Sequence, residues 1–454
     1  MLIKCLTYYV MFLKNIACSF ILFLCFLNFN FAQNGFAINN KKGVDKINFK
    51  LINNIIIVPI TVNGVELSFL LDSGVNKPIV FNFLNVTDSL NNKYSEKIYL
   101  KGLGNGGLTQ ALKSKNNTFV IGNTTSYNQD FYIVLDSSIN FAPYLGVPIH
   151  GIIGYDIFKN LIVDINYTKK QLKLSNHKNY KPKKCKKCEY FKLQFHKNKP
   201  YINLKAKINN KQVPLKLLID TGSSDSLWLF KDDSLGIVNT NKRFSDFLGF
   251  GLSGSIHGTR SIIETITINS YNLNKPKVSF PDEEYLTLVK QIDGRNGSIG
   301  GEILKRFNLT INYKDSIIKF KKNKNFNTIF SYNKSGITII KEGIRLVEEI
   351  DNSNVFTYAS QNENSSNNTY SLNTKFDIKP AFVIWEIRDN SPAFVAGLKK
   401  GDVVLRINNV DTKNYSLQQL TAKFFKEEGK KITLTVDRNG QLLKYKFLLK
   451  SPLK

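Results

Sequence analysis

Leu70-Leu71-Asp72-Ser73-Gly74 recurs 148 residues later as Leu218-Ile219-Asp220-Thr221-Gly222. Gly102-Leu103-Gly104-Asn105-Gly106-Gly107 recurs as Gly249-Phe250-Gly251-Leu252-Ser253-Gly254, at an offset of 147. Gly151-Ile152-Ile153-Gly154 recurs as Gly297-Ser298-Ile299-Gly300, at an offset of 146, and Ile165-Asn166-Tyr167 then matches Ile311-Asn312-Tyr313. Landmarks repeated in one order at nearly constant spacing mark two copies of one lobe.

Each copy reads as β-rich. Two apolar runs, 55–62 and 65–71, meet at Asn63-Gly64, a short-hairpin signal. The second copy echoes them with 201–208, a turn at Asn209-Asn210, and 213–219. One short helix is expected per lobe, around 155–160 and 301–306, which puts Asp156 and Glu302 in first turns where a carboxylate suits the helix dipole. Both glycine stretches satisfy Gly-x-Gly-x-x-Gly, but neither sits in a strand–turn–helix unit. That excludes dinucleotide binding and leaves mobile hairpin tips.

An Asp at the end of an apolar strand, followed by a hydroxyl residue and Gly, is costly to bury without a purpose. Two such loops meeting across a pseudo-twofold axis bring their carboxyls together, and like charges that close share one proton. One carboxylate then takes a proton from a water between them while the other, protonated, polarises a peptide carbonyl. Asp72 and Asp220 are the candidate catalytic pair, Ser73 and Thr221 the hydroxyls that hold the loops in register, and Gly74 and Gly222 the tight turns. Asp225, three residues past Gly222, reads as a surface charge in preference to a subsite residue.

With these residues in place, the chain resembles the aspartic proteases: apolar-apolar-Asp-Ser/Thr-Gly followed by Ile-x-Gly, twice, resembles a pepsin-type monomer built from retropepsin-like lobes. The resemblance implies a mainly β, two-lobed acid-protease barrel fold. It also implies that Gly102, Gly104 and Gly107, with Gly249, Gly251 and Gly254, belong to flaps that fold over substrate. Val75 stands where a small or hydroxyl residue is usual, and neither glycine loop carries a flap tyrosine.

From about residue 330 the pattern changes. Ser391-Pro392-Ala393, Gly397, Gly401-Asp402 and the run Val403 to Ile407 resemble a bacterial PDZ domain. A helix is expected from Ser416 through Glu427, with closing strands 432–437 and 442–449. PDZ domains bind extended peptide ends at a sheet edge. The resemblance places a carboxylate loop at Ser335-Gly336-Ile337, beside an edge strand 337–340. Docking of this module on the lobes, without a free peptide, is the other reading. The Asn- and Ser-rich insert 351–373 reads as a flexible excursion.

The division expected is a signal peptide at 1–32, a first lobe at 33–176, a basic linker at 177–189, a second lobe at 190–328 and a PDZ domain at 329–454. A basic start, a short apolar run and Ala32 describe the signal, with Met11 a tidier start than Met1. The expected location is therefore exported: periplasmic, envelope-associated or secreted, touching a membrane only through an uncleaved signal. Loss of the signal leaves Cys185 and Cys188 as the remaining cysteines, a candidate disulfide in an oxidising compartment. His177 and His196 flank that pair at a spacing that fits no zinc finger, so neither metal nor organic cofactor is expected.

The formal net charge is +28, but only 8 of the 63 basic residues are arginines and the lysines are scattered. That pattern argues against nucleic-acid binding. The partners expected are a protein or peptide substrate and a peptide C-terminus at the PDZ domain, with the chain a monomer. The function expected is peptide-bond hydrolysis; the alternative is a catalytically inactive, peptide-binding envelope protein.

Overall fold

The computed structural model describes residues 35–81, 95–104, 106–136, 139–182, 184–238, 242–286, 294–350, 357–358, 369–370 and 374–453. The signal-peptide segment lies outside the described residues, as does most of the insert 351–373. No described helix is long and apolar enough to cross a membrane.

In the first lobe the strands Ile55–Val62 and Val65–Leu71 pair antiparallel. Their turn holds Asn63 and Gly64 at φ 49° and 93°, a left-handed pair that Asn and Gly adopt readily. Gly151–Ile153 lies parallel to Val65–Leu71, with Ile153 opposite Leu71, which fixes the residue before Asp72 inside a nine-stranded sheet. The second lobe repeats the device in a ten-stranded sheet. Lys199–Ile208 turns at Asn209 and Asn210 into Lys211–Ile219, and Gly297–Ile299 runs parallel beside it with Ile299 opposite Ile219.

A six-stranded sheet joins the lobes. Ile162–Asn166 of the first lobe pairs antiparallel with Phe307–Asn312 of the second, and Asp164 faces Thr310 at the middle of the register. These two residues are themselves 146 apart, so the pseudo-twofold axis passes between them. One continuous apolar core, including Phe69, Phe131, Ile219, Phe280 and Phe320, runs through both lobes and this sheet. The PDZ domain has its own core around Ile384, Leu420, Phe424 and Leu434.

Several expectations need correction. The helices after the Gly-x-x-Gly landmarks are single turns, Tyr155–Phe158 and Gly301–Leu304. The first lobe carries a second short helix, Ala142–Leu145, with Pro143 in its first turn and Gly146 closing it at φ 69°. Asp156 and Glu302 make no cap hydrogen bond; each is buried and ion-paired, Asp156 with Lys159 at 2.7 Å and Glu302 with Lys277 at 2.5 Å. A buried carboxylate takes the nearest ammonium because the dipole alone cannot offset desolvation.

The helix begun by Ser416 ends at Ala422, followed by a single 3-10 turn, Lys423–Phe425; a Ser416–Gln419 capping box starts it. The PDZ edge strand extends to Ile350 and pairs with Thr374–Ile387 along its length, while Thr357–Tyr358 pairs with Thr369–Tyr370 within the insert. Cys185 and Cys188 are joined by a disulfide, so neither thiol is open to a metal. Among the described residues no group of His, Cys, Asp or Glu is arranged to hold one.

Candidate active site

Asp72 and Asp220 leave the ends of equivalent strands, and their backbone N–H groups donate to Ile153 O at 2.8 Å and Ile299 O at 3.0 Å. The parallel Gly-x-x-Gly strands thereby fix where each carboxyl starts. The loops then interlock. Ser73 Oγ donates to Ile219 O at 2.6 Å, and Thr221 Oγ1 donates to Leu71 O at 2.8 Å. Ser73 N in turn donates to Thr221 Oγ1 at 3.0 Å, and Thr221 N to Ser73 Oγ at 3.2 Å. Each hydroxyl is 1% exposed and reaches the backbone of the opposite lobe, so neither loop can shift without breaking bonds in both.

The carboxyls are held from below. Gly74 N donates to Asp72 Oδ1 at 2.7 Å and Gly222 N donates to Asp220 Oδ1 at 3.1 Å. A side chain at Gly222 would overlap the Asp72 carboxyl, so the second loop lies directly against the first aspartate. Val75 serves the turn through its backbone: its N–H donates to Asp72 O and its carbonyl accepts from Tyr155 N.

Residues 58–157 match the family described as aspartyl protease, and residues 343–449 match the one described as PDZ domain. The chain carries an aspartyl protease domain followed by a PDZ domain. No curated protein matches it. The family match covers the first lobe; the second lobe repeats its Asp-hydroxyl-Gly turn beside an equivalent parallel strand, in a sheet of ten strands where the first has nine.

The electrostatics of the protease site are unequal across its axis. Burial pushes the Asp72 carboxyl up to about 7, the neighbouring Asp220 adds to the rise, and the Gly74 N–H and Lys199 oppose it. Burial also leaves the Asp220 carboxyl raised, with Arg295 and then Lys199 offsetting part of the rise. Arg295 is the leading opponent of the rise at Asp220 and not at Asp72, which makes the two sides of the pair electrostatically unequal. Arg295 is anchored against the rings of Tyr201 and Phe230, at 5.9 and 5.3 Å. Neither cation carries a motif, and only the fold brings these two of 63 basic residues to the aspartates.

Both glycine stretches lie at the tips of hairpins. Ser95–Leu100 with Thr109–Ile121 forms one, and Arg243–Gly251 with Gly254–Ile262 forms the other. The tips touch: Gly102 N donates to Ser253 Oγ at 2.9 Å and Ser253 N donates to Leu103 O at 3.0 Å. Gly104, Gly249 and Gly254 hold positive φ values of 131°, 149° and 109° that a side chain would strain. Gly107 and Gly251 line a cavity of about 600 Å3 beside these tips, whose walls include neither aspartate.

Asp225 is not a surface charge. It is 8% exposed and receives Arg260 Nη1 at 2.8 Å, Ser279 Oγ at 2.7 Å and Trp228 Nε1 at 3.0 Å. Burial alone would raise its carboxyl, but Arg260, Lys277, Ser279 and Trp228 outweigh it and leave the group below the usual range. Arg260 also bonds Asp246 and the Phe247 carbonyl, both on the second flap. Asp225 therefore ties the flap base to the loop after Asp220.

The expected PDZ carboxylate loop has its backbone donors engaged. Asn333 Oδ1 accepts from Ser335 N at 2.9 Å and from Gly336 N at 3.2 Å, and Ser335 Oγ accepts from Ile337 N at 3.0 Å. Gly336 is pressed against Ser391, and Ser335 and Ile337 are buried. A terminal carboxylate needs such donors open, so the loop as folded offers a peptide end no cradle. The physical reason is local: Asn333, two residues ahead of Ser335, closes an Asx turn over the loop.

Proposed function

We propose that the chain is an exported aspartic endopeptidase. The observation that carries this reading is the pair of Asp loops clasped by reciprocal hydroxyl bonds, with Asp72 raised to about 7 beside Asp220. In this reading Asp220, kept ionised by Arg295 and Lys199, takes a proton from the attacking water. Asp72, protonated, donates to the scissile carbonyl oxygen as the water oxygen bonds to carbon. Collapse of the tetrahedral adduct passes a proton to the amide nitrogen, breaks the C–N bond and returns the pair to one proton. The contacting flap tips close over the peptide and exclude bulk water, which strengthens every charge below them.

Purified protein incubated with an unfolded protein substrate between pH 3 and 8 is expected to release new peptide termini. The rate should fall above about pH 7 as Asp72 loses its proton. Peptide binding without new termini anywhere in that range would instead establish a non-catalytic peptide-binding protein. Export is a separate part of the proposal, supported by the basic-apolar-small pattern of residues 1–32. N-terminal sequencing of protein from the producing cell should begin just after Ala32; a start at Met1 or Met11 would refute cleavage of a signal.

A further inference from the structure

We propose that the PDZ domain forms an outer wall of the substrate cleft: Trp385 positions the second-lobe flap, while Glu342 contacts substrate residues running out past the flap tips. The inference rests on the hydrolytic reading above and assigns the PDZ domain a part in the same site.

The second flap begins with the outermost strand of its sheet, which among the described residues has no neighbouring strand on its open side, although Arg260 holds Asp246 and Phe247 from within the lobe. A register shift between Phe247 and Gly249 inserts an extra residue and turns Phe247 and Phe250 to one side. Trp385 of the PDZ domain meets Phe247 at 4.8 Å and Phe250 at 5.4 Å between ring centres. Tyr144 of the first lobe completes the cluster, 4.3 Å from Phe250 and 5.3 Å, edge-on, from Trp385. Lys400 lies 5.3 Å over the Trp385 ring. Nearer the hairpin base, the Arg388 guanidinium sits 4.7 Å over Phe244. The outer face of the flap thus packs against another domain.

The same residues enclose space. The cavity of about 600 Å3 at the flap tips is walled by Gly107 and Ser253 of the two tips, Tyr144 of the first lobe, and Ile340, Glu342 and Trp385 of the PDZ domain. A peptide held under both tips and extending to this side meets the PDZ edge strand.

The PDZ groove itself is turned toward the lobes. Gln418 Nε2, at the start of the PDZ helix, donates to Leu145 O at 2.7 Å, and Gly146 packs directly on Leu417. The carboxylate loop is thus satisfied by Asn333, and the helix start is covered by the first lobe.

The test compares two peptides with one scissile core, of about four and about ten residues, cleaved by the full chain and its Trp385→Ala, Trp385→Phe and Glu342→Lys variants. Remote contacts act on the longer peptide. The long-to-short ratio of kcat/KM should fall about tenfold in Trp385→Ala, as expected for loss of several aromatic contacts, and largely recover in Trp385→Phe. Glu342 is exposed, so Glu342→Lys leaves packing intact. It should lower the rate on long peptides with a basic distal end and raise it on those with an acidic one, by roughly threefold or more. An unchanged ratio in Trp385→Ala, whether or not absolute rates fall, overturns the inference, as does indifference of Glu342→Lys to distal charge. Asp220→Asn, run alongside, separates the two ideas: if it cleaves like wild type, the hydrolytic reading fails; if it is inactive while the ratios stay flat, only the PDZ wall fails.

Discussion

Replacing Asp72 with Asn should stabilise the protein in a pH-dependent way. The folded Asp72 binds its proton up to about pH 7, whereas the unfolded residue releases it near 3.8. Between those values the folded state holds more protons than the unfolded one, so stability falls as pH rises through that window. At about 1.4 kcal/mol per unit, the displacement costs at most about 4 kcal/mol above pH 7. Partial solvent contact of Asp72 at the cleft floor reduces that figure to about 3 kcal/mol. Asn carries no charge at any pH, and its Oδ1 can still accept from Gly74 N.

The difference between Asp72→Asn and wild type should thus be near zero at about pH 3.5 and approach about 3 kcal/mol above pH 7. That corresponds to a midpoint raised by about 4 °C for a cooperative unit of this size. Thermal and urea unfolding across this range, followed by tryptophan fluorescence, reads it. Trp228 sits on the Asp225 network of the second lobe and Trp385 on the second flap. A gap that stays flat from acid to neutral pH would refute the raised carboxyl and, with it, the shared proton.

Lys199→Met and Arg295→Met each remove a cation that favours ionised Asp220, so the acidic limb of the kcat/KM profile should move up by roughly one pH unit. Arg260→Met strands the buried Asp225 and frees the base of the second flap; urea titration should show a loss of about 3–5 kcal/mol. Cys185→Ser opens a loop closed across only three positions. It should cost at most about 2 kcal/mol and leave peptide cleavage unchanged with or without reductant.

What could be read from sequence was local or repeated. Asp72 and Asp220 announce themselves because each ends an apolar strand and precedes a hydroxyl residue and glycine; Asn63-Gly64 fixes its hairpin by backbone preference alone. Features settled by distant partners stayed hidden. Asp225 looks like a surface charge until Arg260, 35 residues on, folds onto it. Lys199 and Arg295 become part of the site only when the second lobe closes. Ala142–Leu145 is too short for any periodicity, although Pro143 at its start and Gly146 after it were signals of a turn. Asn333 ahead of Ser335-Gly336 was likewise a local cue to a self-closed loop. The seating of Trp385 on the flap joins three parts of the chain and left no mark in any one of them.

The central claim is that Asp72 and Asp220 together cleave peptide bonds. Mass-spectrometric profiling of a peptide mixture should show cleavage by wild type and none by either Asp72→Asn or Asp220→Asn, with both variants folded. Cleavage at wild-type rates by either variant would contradict the account.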